Sequence, residues 1–580
     1  MKAQLQQIFS SAIEQLKGAG IIPKDHEVIA QFERTRQKEH GDFATNIAMT
    51  LAKAARKNPR ELAELIVDAL PNDPLVSKAE IAGPGFINLF LAQGSRYEVL
   101  KHIFKQREHF GIAEENSKDK ILVEFVSANP TGPLHVGHGR GAAYGDALAR
   151  VLTAAGHSVE SEYYVNDAGR QMDILAVSVW VRYLQALGEA VELPDNAYKG
   201  VYVTKMGQDL AHSESEKFRL TAEQFNSARE GLDDEAALDA SIAQAKKQLG
   251  IHGFSVFFDL ALDCILSDIK EDLQEFGVDY HTWFSERSLF DSGKIESAIS
   301  LLKESGDVYE KGGAWWFKGT AYGDEKDRVV IRENGQPTYF ASDIAYHRDK
   351  LQRGFDLSIN VWGSDHHGYI PRVKAALQAL GLDPQKLKVL LVQFAVLYRS
   401  GEKMSMSTRS GEFVTLRDLR NEIGSDAARF FYAMRKSEQH MDFDLDLAKE
   451  QSNENPMYYV QYAHARICRL FDTAQERGID LSGLESADFS QLVSEHENKL
   501  LTVLARLPET INKAASDYEP HQISYYLRDV ATAFHSYYNT SKFLEAEANQ
   551  RKAMLALCSA TRQVLKNGLT VLGVSAPLTM

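Results

Sequence analysis

Cysteine is nearly missing from this chain of 580 residues: Cys264, Cys468 and Cys558 lie far apart, with no CxxC pair. That excludes a disulfide framework and a thiolate zinc site, and it fits a reducing compartment. No stretch of 18 uncharged apolar residues occurs, so no membrane span is expected. The opening MKAQLQQIFSSAIEQLKGAG reads as an amphipathic helix and lacks the apolar run and cleavage site of a signal peptide. A cytoplasmic protein is the expectation. Basic charge is also short, with 65 Lys and Arg against 80 Asp and Glu and a formal net charge of −15. Bulk attraction to nucleic acid or anionic lipid is thereby excluded, and any polyanion must be held by a local basic face.

What is present is the composition of folded protein, 44% hydrophobic and 25% charged, in a chain too long for one core. Roughly 150 residues per domain gives a prior of about four domains. Residues 1–112 read as a small α/β domain, with 15 Lys and Arg against 13 Asp and Glu over 1–110. From 118 to 400, strand–turn–helix units at ILVEFVS, VESEYYVN and LSINVWG predict a parallel, Rossmann-like nucleotide-binding sheet. Mostly helical sequence at about 170–310 reads as an insertion into it. A connecting segment at 401–455 leads to 456–580, which is helical nearly throughout and reads as a bundle. The fold class is therefore multidomain, α/β plus all-α.

The most informative stretch is VEFVSANPTGPLHVGHGRGAAYGDA. A strand runs into a Pro/Gly turn, and a helix starts near Gly137, where backbone N–H groups and the helix dipole favour an anion. Gly137, Gly139 and Gly141 let a base or phosphate approach the backbone. His135 and His138, three apart, face the same side and suit charge developing on phosphates. A zinc site would need further ligands that the neighbourhood does not offer, and the glycines do not form GxGxxG.

Pro133-Leu-His135-Val-Gly137-His138 resembles the HIGH signature of the class I aminoacyl-tRNA synthetases, and the run Ser127 to His138 resembles its arginyl-tRNA synthetase form. GDFATNIAM (41–49), AGPGFINLFL (82–91), YFASDIAYH (339–347), GSDHHGY (363–369), TRSGEFVTL (408–416) and NPMYYVQYAHARI (455–467) resemble other motifs of that family, in its order. The resemblance spans essentially the whole chain and is to the bacterial type. It implies ATP-dependent activation of L-arginine, then transfer to tRNA(Arg), with Mg2+ expected with ATP, in a monomer without membrane contact.

It also implies roles for residues. His135 and His138 would face the triphosphate. Ala128, Asn129, Pro130, Thr131, Gly132, Pro133, Leu134, Val136 and Gly137 would form the ATP-binding turn, with Gly363 and Asp365 on the ribose side. For Asp365, a helix N-cap is the rival reading. Glu124, Asn129, Tyr339 and Asp343 match the family's arginine pocket. Carboxylates suit a guanidinium because its planar fork donates paired hydrogen bonds. An unpaired acid inside ILVEFVS would be costly, so Glu124 either pairs with an internal cation or waits for one from a ligand.

One departure stands out. The class pattern KMSKS reads here as Lys403-Met-Ser-Met-Ser407, or as Ser405-Met-Ser-Thr408 if aligned on TRSGEFVTL, and neither register keeps the second lysine. Some arginyl enzymes compensate with a lysine just ahead of the HIGH element, where this chain has Gly132. Lys403, Arg409 and Arg140 are the candidates to supply that charge. For tRNA, Phe86 and Asn88 match the N-terminal domain's contact pair, and Tyr458, Tyr462 and Arg466 fall in the anticodon-binding domain. Core packing is the alternative for each tyrosine. Two other functional readings stay open: another class I synthetase or nucleotidyltransferase, and a non-catalytic tRNA-binding relative.

Overall fold

The computed structural model describes residues 2–35, 37–113, 118–404 and 414–580. It divides into two compact units, one of residues 1–110, 469–506 and 532–564, the other of 111–468, 507–531 and 565–580.

The N-terminal part of the first unit holds α1 (Lys2–Gly18), β1 (Glu33–Arg34), β2 (Phe43–Thr45), α2 (Ile47–Ala55), α3 (Pro59–Asp68), β3 (Val76–Ala82), β4 (Phe86–Leu91) and α4 (Glu98–Gln106). The strands form one antiparallel sheet in the order β1-β2-β4-β3. Its core joins Leu5, Phe9, Phe43, Leu51, Leu62, Ile66, Ile87 and Leu89, with the apolar stripes of α1–α3 on one sheet face. Helix α3 starts at Pro59 because Asn58 caps it, accepting from the Arg60 N–H at 2.9 Å.

In the second unit, β5 (Lys120–Glu124), α5 (Val136–Ala154) and β6 (Ser158–Val165) form the first strand–helix–strand crossover, with the two strands parallel. A helical excursion follows, α6 (Arg170–Ala186), α7 (Val201–Glu214), α8 (Ala222–Ser227) and α9 (Asp234–Glu275), before β7 (Thr282–Ser285) pairs with β6. The expected insertion at 170–310 is therefore interrupted. TWFS, too short to signal a strand by itself, rejoins the main sheet, where Trp283 stacks on Tyr163. Helix α9 has an 18-residue window of mean hydropathy 1.6, which makes it long and apolar enough to pass as a span. It is broken at Gly250 (φ 61°) and buries Phe254, Phe257, Ala261, Ile265 and Ile269 at helical spacing, as a core-facing helix does.

Next come α10 (Arg287–Asp291), α11 (Lys294–Glu304) and a small antiparallel sheet of β8 (Val308–Lys311), β9 (Ala314–Phe317) and β10 (Arg328–Ile331). The chain returns through α12 (Tyr339–Gln352), β11 (Leu357–Gly363), α13 (Ile370–Ala379) and β12 (Leu387–Val392). The main sheet is wholly parallel in the order β12-β11-β5-β6-β7. The connections thus reverse direction between β5 and β11, which makes the carboxyl ends of those strands the ligand edge.

After β13 (Ala395–Arg399) and β14 (Glu402–Lys403), a hairpin turning at Ser400 and Gly401, the chain re-enters at Val414 into α14 (Leu416–Ile423) and α15 (Ser425–Ala433). Then β15 (Met441–Asp444) pairs with β13, followed by α16 (Leu445–Lys449). The last helices are α17 (Pro456–Glu476), α18 (Glu495–Leu504), α19 (Leu507–Asp517), α20 (His521–Thr540) and α21 (Ala548–Val571). In the second unit, buried Arg429 bonds Asp146 and the carbonyls of Phe276 (3.1 Å), Gly277 (3.0 Å) and Leu572 (3.1 Å), fastening chain segments to α5.

Candidate active site

A cavity of about 550 Å3 opens at the switch point, lined by the ends of β5, β6, β11 and β12 and the start of α5. Its two ends differ in chemistry.

At one end α5 begins. His135 is the N-cap, its Nδ1 accepting from the Gly137 N–H at 3.1 Å, while His138 Nδ1 accepts from the His135 N–H at 3.2 Å. Because each Nδ1 accepts, each ring carries its proton on Nε2 and presents an N–H donor. The rings stack with centroids 3.7 Å apart. Burial lowers the pKa of His135, and burial with the neighbouring His135 takes His138 down to about 3, so both are neutral donors at physiological pH. A side chain at Gly137 would come within 2.8 Å of the His135 ring and 3.0 Å of Phe394, so glycine keeps the backbone open there.

At the other end stand acids. Glu124 closes β5, with one oxygen accepting from Ser127 Oγ at 3.0 Å and the other paired with the Lys350 ammonium. Of the two alternatives open from sequence, the internal cation holds. Asp343 on α12 accepts from the Tyr369 hydroxyl. Burial raises Asp343 to about 6, held back by that bond and pushed further by the Glu124 charge. Glu286, absent from the sequence expectations, is 2% exposed, and burial raises it to about 7, with Asp343 and Asp167 adding to the rise. The turn between β5 and the HIGH segment is strained: Val126 and Ser127 have φ of 68° and 44°.

Of the expected site residues, Glu124, Ala128, Asn129, His135, Gly137, His138, Asp343, Gly363 and Asp365 line this cavity. Asp365 caps neither the turn Ser364–Tyr369 nor α13. Pro130, Thr131, Gly132, Pro133, Leu134 and Val136 are not among the lining residues. Leu134 and Val136 are buried, and their backbone pairs with the far side of the signature loop, Leu416 N–H to Leu134 O at 2.8 Å and Val136 N–H to Val414 O at 3.2 Å. Thr131 and Gly132 lie under α7: Tyr202 donates to Thr131 O at 2.6 Å, and a side chain at Gly132 would meet that phenol at 2.9 Å. The position of the compensating lysine is thus covered.

Tyr339 is not a lining residue either. It opens α12, is 48% exposed, and turns its hydroxyl toward Gly169. Lys403 sits exposed on β14, outside the cavity, and Arg409 lies outside the described residues. Arg140 is no source of charge: it is 1% exposed, and its guanidinium is fixed to the carbonyls of Gln393 (2.7 Å) and Lys436 (2.9 Å). Sequence reasoning missed Trp362, His366, Tyr369 and Phe394, which line the cavity. Its one available signal was that aromatics and histidines follow the strand ends at LSINVWG and LKVLLV.

Among the nominated tRNA contacts, Phe86 is 39% exposed but Asn88 only 7%. They share a strand face, as alternation requires, yet Asn88 lies on central β4 between Ala44 and Glu80, while Phe86 extends past the pairing with β2. Tyr458 and Tyr462 are half-buried and stack at 5.8 Å, with Arg466 over Tyr462 at 5.6 Å. In the first unit a pocket of about 240 Å3, not foreseen, gathers Arg469, Arg477, Tyr538, Lys542 and Phe543. Among the described residues no group of three His, Cys, Asp or Glu is placed to hold a metal ion.

A parallel sheet with this strand order, a HIGH helix start and a second loop bonded to it define a class I aminoacyl-tRNA synthetase. Family models agree along the chain: arginyl tRNA synthetase N terminal domain over 3–91, tRNA synthetases class I (R), catalytic domain over 99–444, and DALR anticodon binding domain over 460–580. The chain belongs to the arginyl-tRNA synthetase family. It is 55% identical to the arginine–tRNA ligases of Hydrogenovibrio crunogenus and Thioalkalivibrio sulfidiphilus, each aligned over 100% of both chains. Among solved structures it resembles a putative arginyl-tRNA synthetase from Campylobacter jejuni (TM-score 0.74, 33% identity, 84% of this chain and 100% of that one). The Thermus thermophilus arginyl-tRNA synthetase shares the fold (TM-score 0.74, 22% identity, 100% of both chains).

Proposed function

We propose that this arginine–tRNA ligase divides its reaction along the cavity, ATP at the helix end and arginine among the acids. The arginine carboxylate attacks the α-phosphorus of ATP, the bond to pyrophosphate breaks, and arginyl-adenylate forms. A hydroxyl of the tRNA terminal ribose then attacks the carbonyl, and AMP leaves. The enzyme supplies no nucleophile, so its work is positioning and charge stabilisation.

The observation that carries this reading is the placement of buried Glu124 and Asp343 in one cavity with the α5 start. The Nε2–H groups of His135 and His138 and the first backbone N–H groups of α5 donate to the phosphates. The backbone at Gly137 and Gly363, beside the exposed Phe394 ring, receives the adenine, and Asp365 the ribose. Asn129 takes the α-amino or carboxylate end of arginine. Glu124 and Asp343, with Glu286 behind Asp343, take the cationic groups of arginine, and Tyr339 covers that end from the rim.

No Lys or Arg is among the described residues that line the cavity, so the pyrophosphate charge falls to Lys403 or Arg409 from the signature loop. Mg2+ enters on the triphosphate, as an ion that keeps its own waters and phosphate ligands does. Phe86, Asn88, Tyr458, Tyr462 and Arg466 hold tRNA, and the Arg469–Tyr538–Lys542 pocket has the cations and ring to take an unstacked base. We place the enzyme in the cytoplasm as a monomer, which light scattering tests. The deciding experiment is ATP–pyrophosphate exchange with arginine, with and without tRNA. Exchange specific to arginine supports the scheme, and none in either condition leaves a tRNA-binding protein.

A further inference from the structure

We propose that Lys350 is a positioning residue of the arginine site, a buried ammonium that fixes the Glu124 carboxylate for an incoming cationic substrate. The inference rests on Glu124 being an arginine ligand and adds the device that makes it one.

On α12, Asp343, Tyr346, His347 and Lys350 recur at helical spacing and form one face. That face meets β5, β6 and β11. Lys350 has no exposure at all. Its ammonium bonds Glu124 Oε2 and Asn360 Oδ1, the latter at 2.9 Å, and lies 4.2 Å from the centre of the Tyr346 ring. Asn360 on β11 donates its amide to His347 Nε2 at 2.9 Å. The His347 proton is therefore on Nδ1, which donates to the Asp343 carbonyl at 2.8 Å. Burial, with the Lys350 charge, takes His347 down to about 3, so this ring is a neutral relay. An unbroken chain of hydrogen bonds runs from Glu124 through Lys350, Asn360 and His347 to the backbone of Asp343.

The other carboxylate that this face meets from the sheet is already satisfied. Glu162 on β6 accepts two bonds from Arg353, at 2.6 and 2.9 Å, and one from Tyr346 at 2.7 Å. Lys350 is thus assigned to Glu124. Ser127 holds the second Glu124 oxygen at 3.0 Å and itself accepts from the Tyr164 N–H at 3.1 Å. Both oxygens are anchored from the protein side, and Glu124 still lines the cavity. A buried lysine is expensive to keep, and a packed apolar pair in its place is often neutral or stabilising. A scaffold alone does not call for it; a carboxylate that must be held in one orientation at a cavity wall does.

The test is exchange kinetics of the full enzyme with tRNA present, comparing Lys350→Met, Glu124→Gln and the double variant. Lys350→Met should raise the arginine KM about 10-fold or more, the scale seen when a ligand loses its orienting partner, with the ATP KM within about twofold. In the Glu124→Gln background, Lys350→Met should add nothing. If Lys350→Met does not fold, the double variant, with both partners neutral, carries the comparison and should match Glu124→Gln. An unchanged arginine KM in Lys350→Met, an equal rise for ATP and arginine, or a further rise in the double variant overturns the inference. An unchanged arginine KM in Glu124→Gln overturns the underlying reading along with it.

Discussion

Under the proposed assignment, the two ends of the cavity solve opposite problems. The ATP end meets a polyanion with groups that carry no net charge: two neutral imidazoles, a helix start and glycine backbone. The arginine end meets a cation with buried carboxylates, which need cations or hydroxyls of their own while the site is empty: Lys350, Tyr369 and Ser127. Dipoles fixed by the backbone cost little to bury, whereas an ionised carboxylate must be compensated. The phosphate-facing part of the first end is therefore built locally, between His135 and His138, with Gly363, Asp365 and Phe394 added from the ends of β11 and β12. The second draws on β5, α12, β11 and the segment at Tyr369.

This asymmetry is open to experiment. The largest effect should come from Asp343→Asn, which removes a buried charge partner of the guanidinium. Arginine kcat/KM should fall by about 1,000-fold, roughly 4 kcal/mol, with the ATP KM nearly unchanged; equal damage to both substrates would merge the two ends. His138→Ala should do the reverse, lowering kcat about 100-fold, as loss of one preorganised donor does, while the arginine KM holds. Arg140→Leu is the companion control, since its bonds to Gln393 and Lys436 are structural: thermal unfolding should register a loss of about 2 kcal/mol and the folded fraction should keep its exchange rate.

A pH titration should separate the ends more gently. In the proposed scheme Asp343, raised to about 6, must be ionised to attract a guanidinium, and Glu286 behind it, raised to about 7, adds its charge when ionised. The arginine KM should therefore climb as pH falls through 7 and 6, approaching tenfold per unit. The ATP KM should stay flat over that range, because His138 remains neutral down to about 3. For folding the sign is opposite. Both acids bind protons more readily folded than unfolded, so their contribution to stability is full below the ordinary carboxylate range and lost as pH rises through about 6 and 7. The smallest effect belongs to Phe86→Ala, a single exposed ring, which should raise the tRNA KM severalfold and leave tRNA-independent properties alone.

Much of this was readable from residue order. The turn after β5, the glycines, the histidine pair and the acid in ILVEFVS are contiguous signals, and the parallel sheet follows from the strand–turn–helix recurrence. What escaped notice lay in partners distant along the chain. Glu286 lies 57 residues before Asp343 and nothing in its own surroundings marks it; Tyr369, 26 residues after, closes the motif GSDHHGY, but its bond to Asp343 is not written there. Arg140 looked available because it follows the HIGH motif, but the carbonyls of Gln393 and Lys436 claim it. Tyr339 matches the family's arginine pocket by resemblance, yet the start of α12 leaves it 48% exposed and off the cavity lining. Asn88 matches the family's contact pair, but its 7% exposure was not legible, because strand alternation gives a face and not its cover.

By itself the sequence determined the chemistry: which acids, imidazoles and glycines are available, and the local geometry of the helix start that receives phosphate. Periodicity and turn residues act over a few positions and can be read there. Tertiary structure alone decided which charges are already answered. Lys350 meets Glu124 across 226 residues and Gly132 disappears beneath Tyr202, because pairing energy depends on distance and burial in space, and the order of residues records neither.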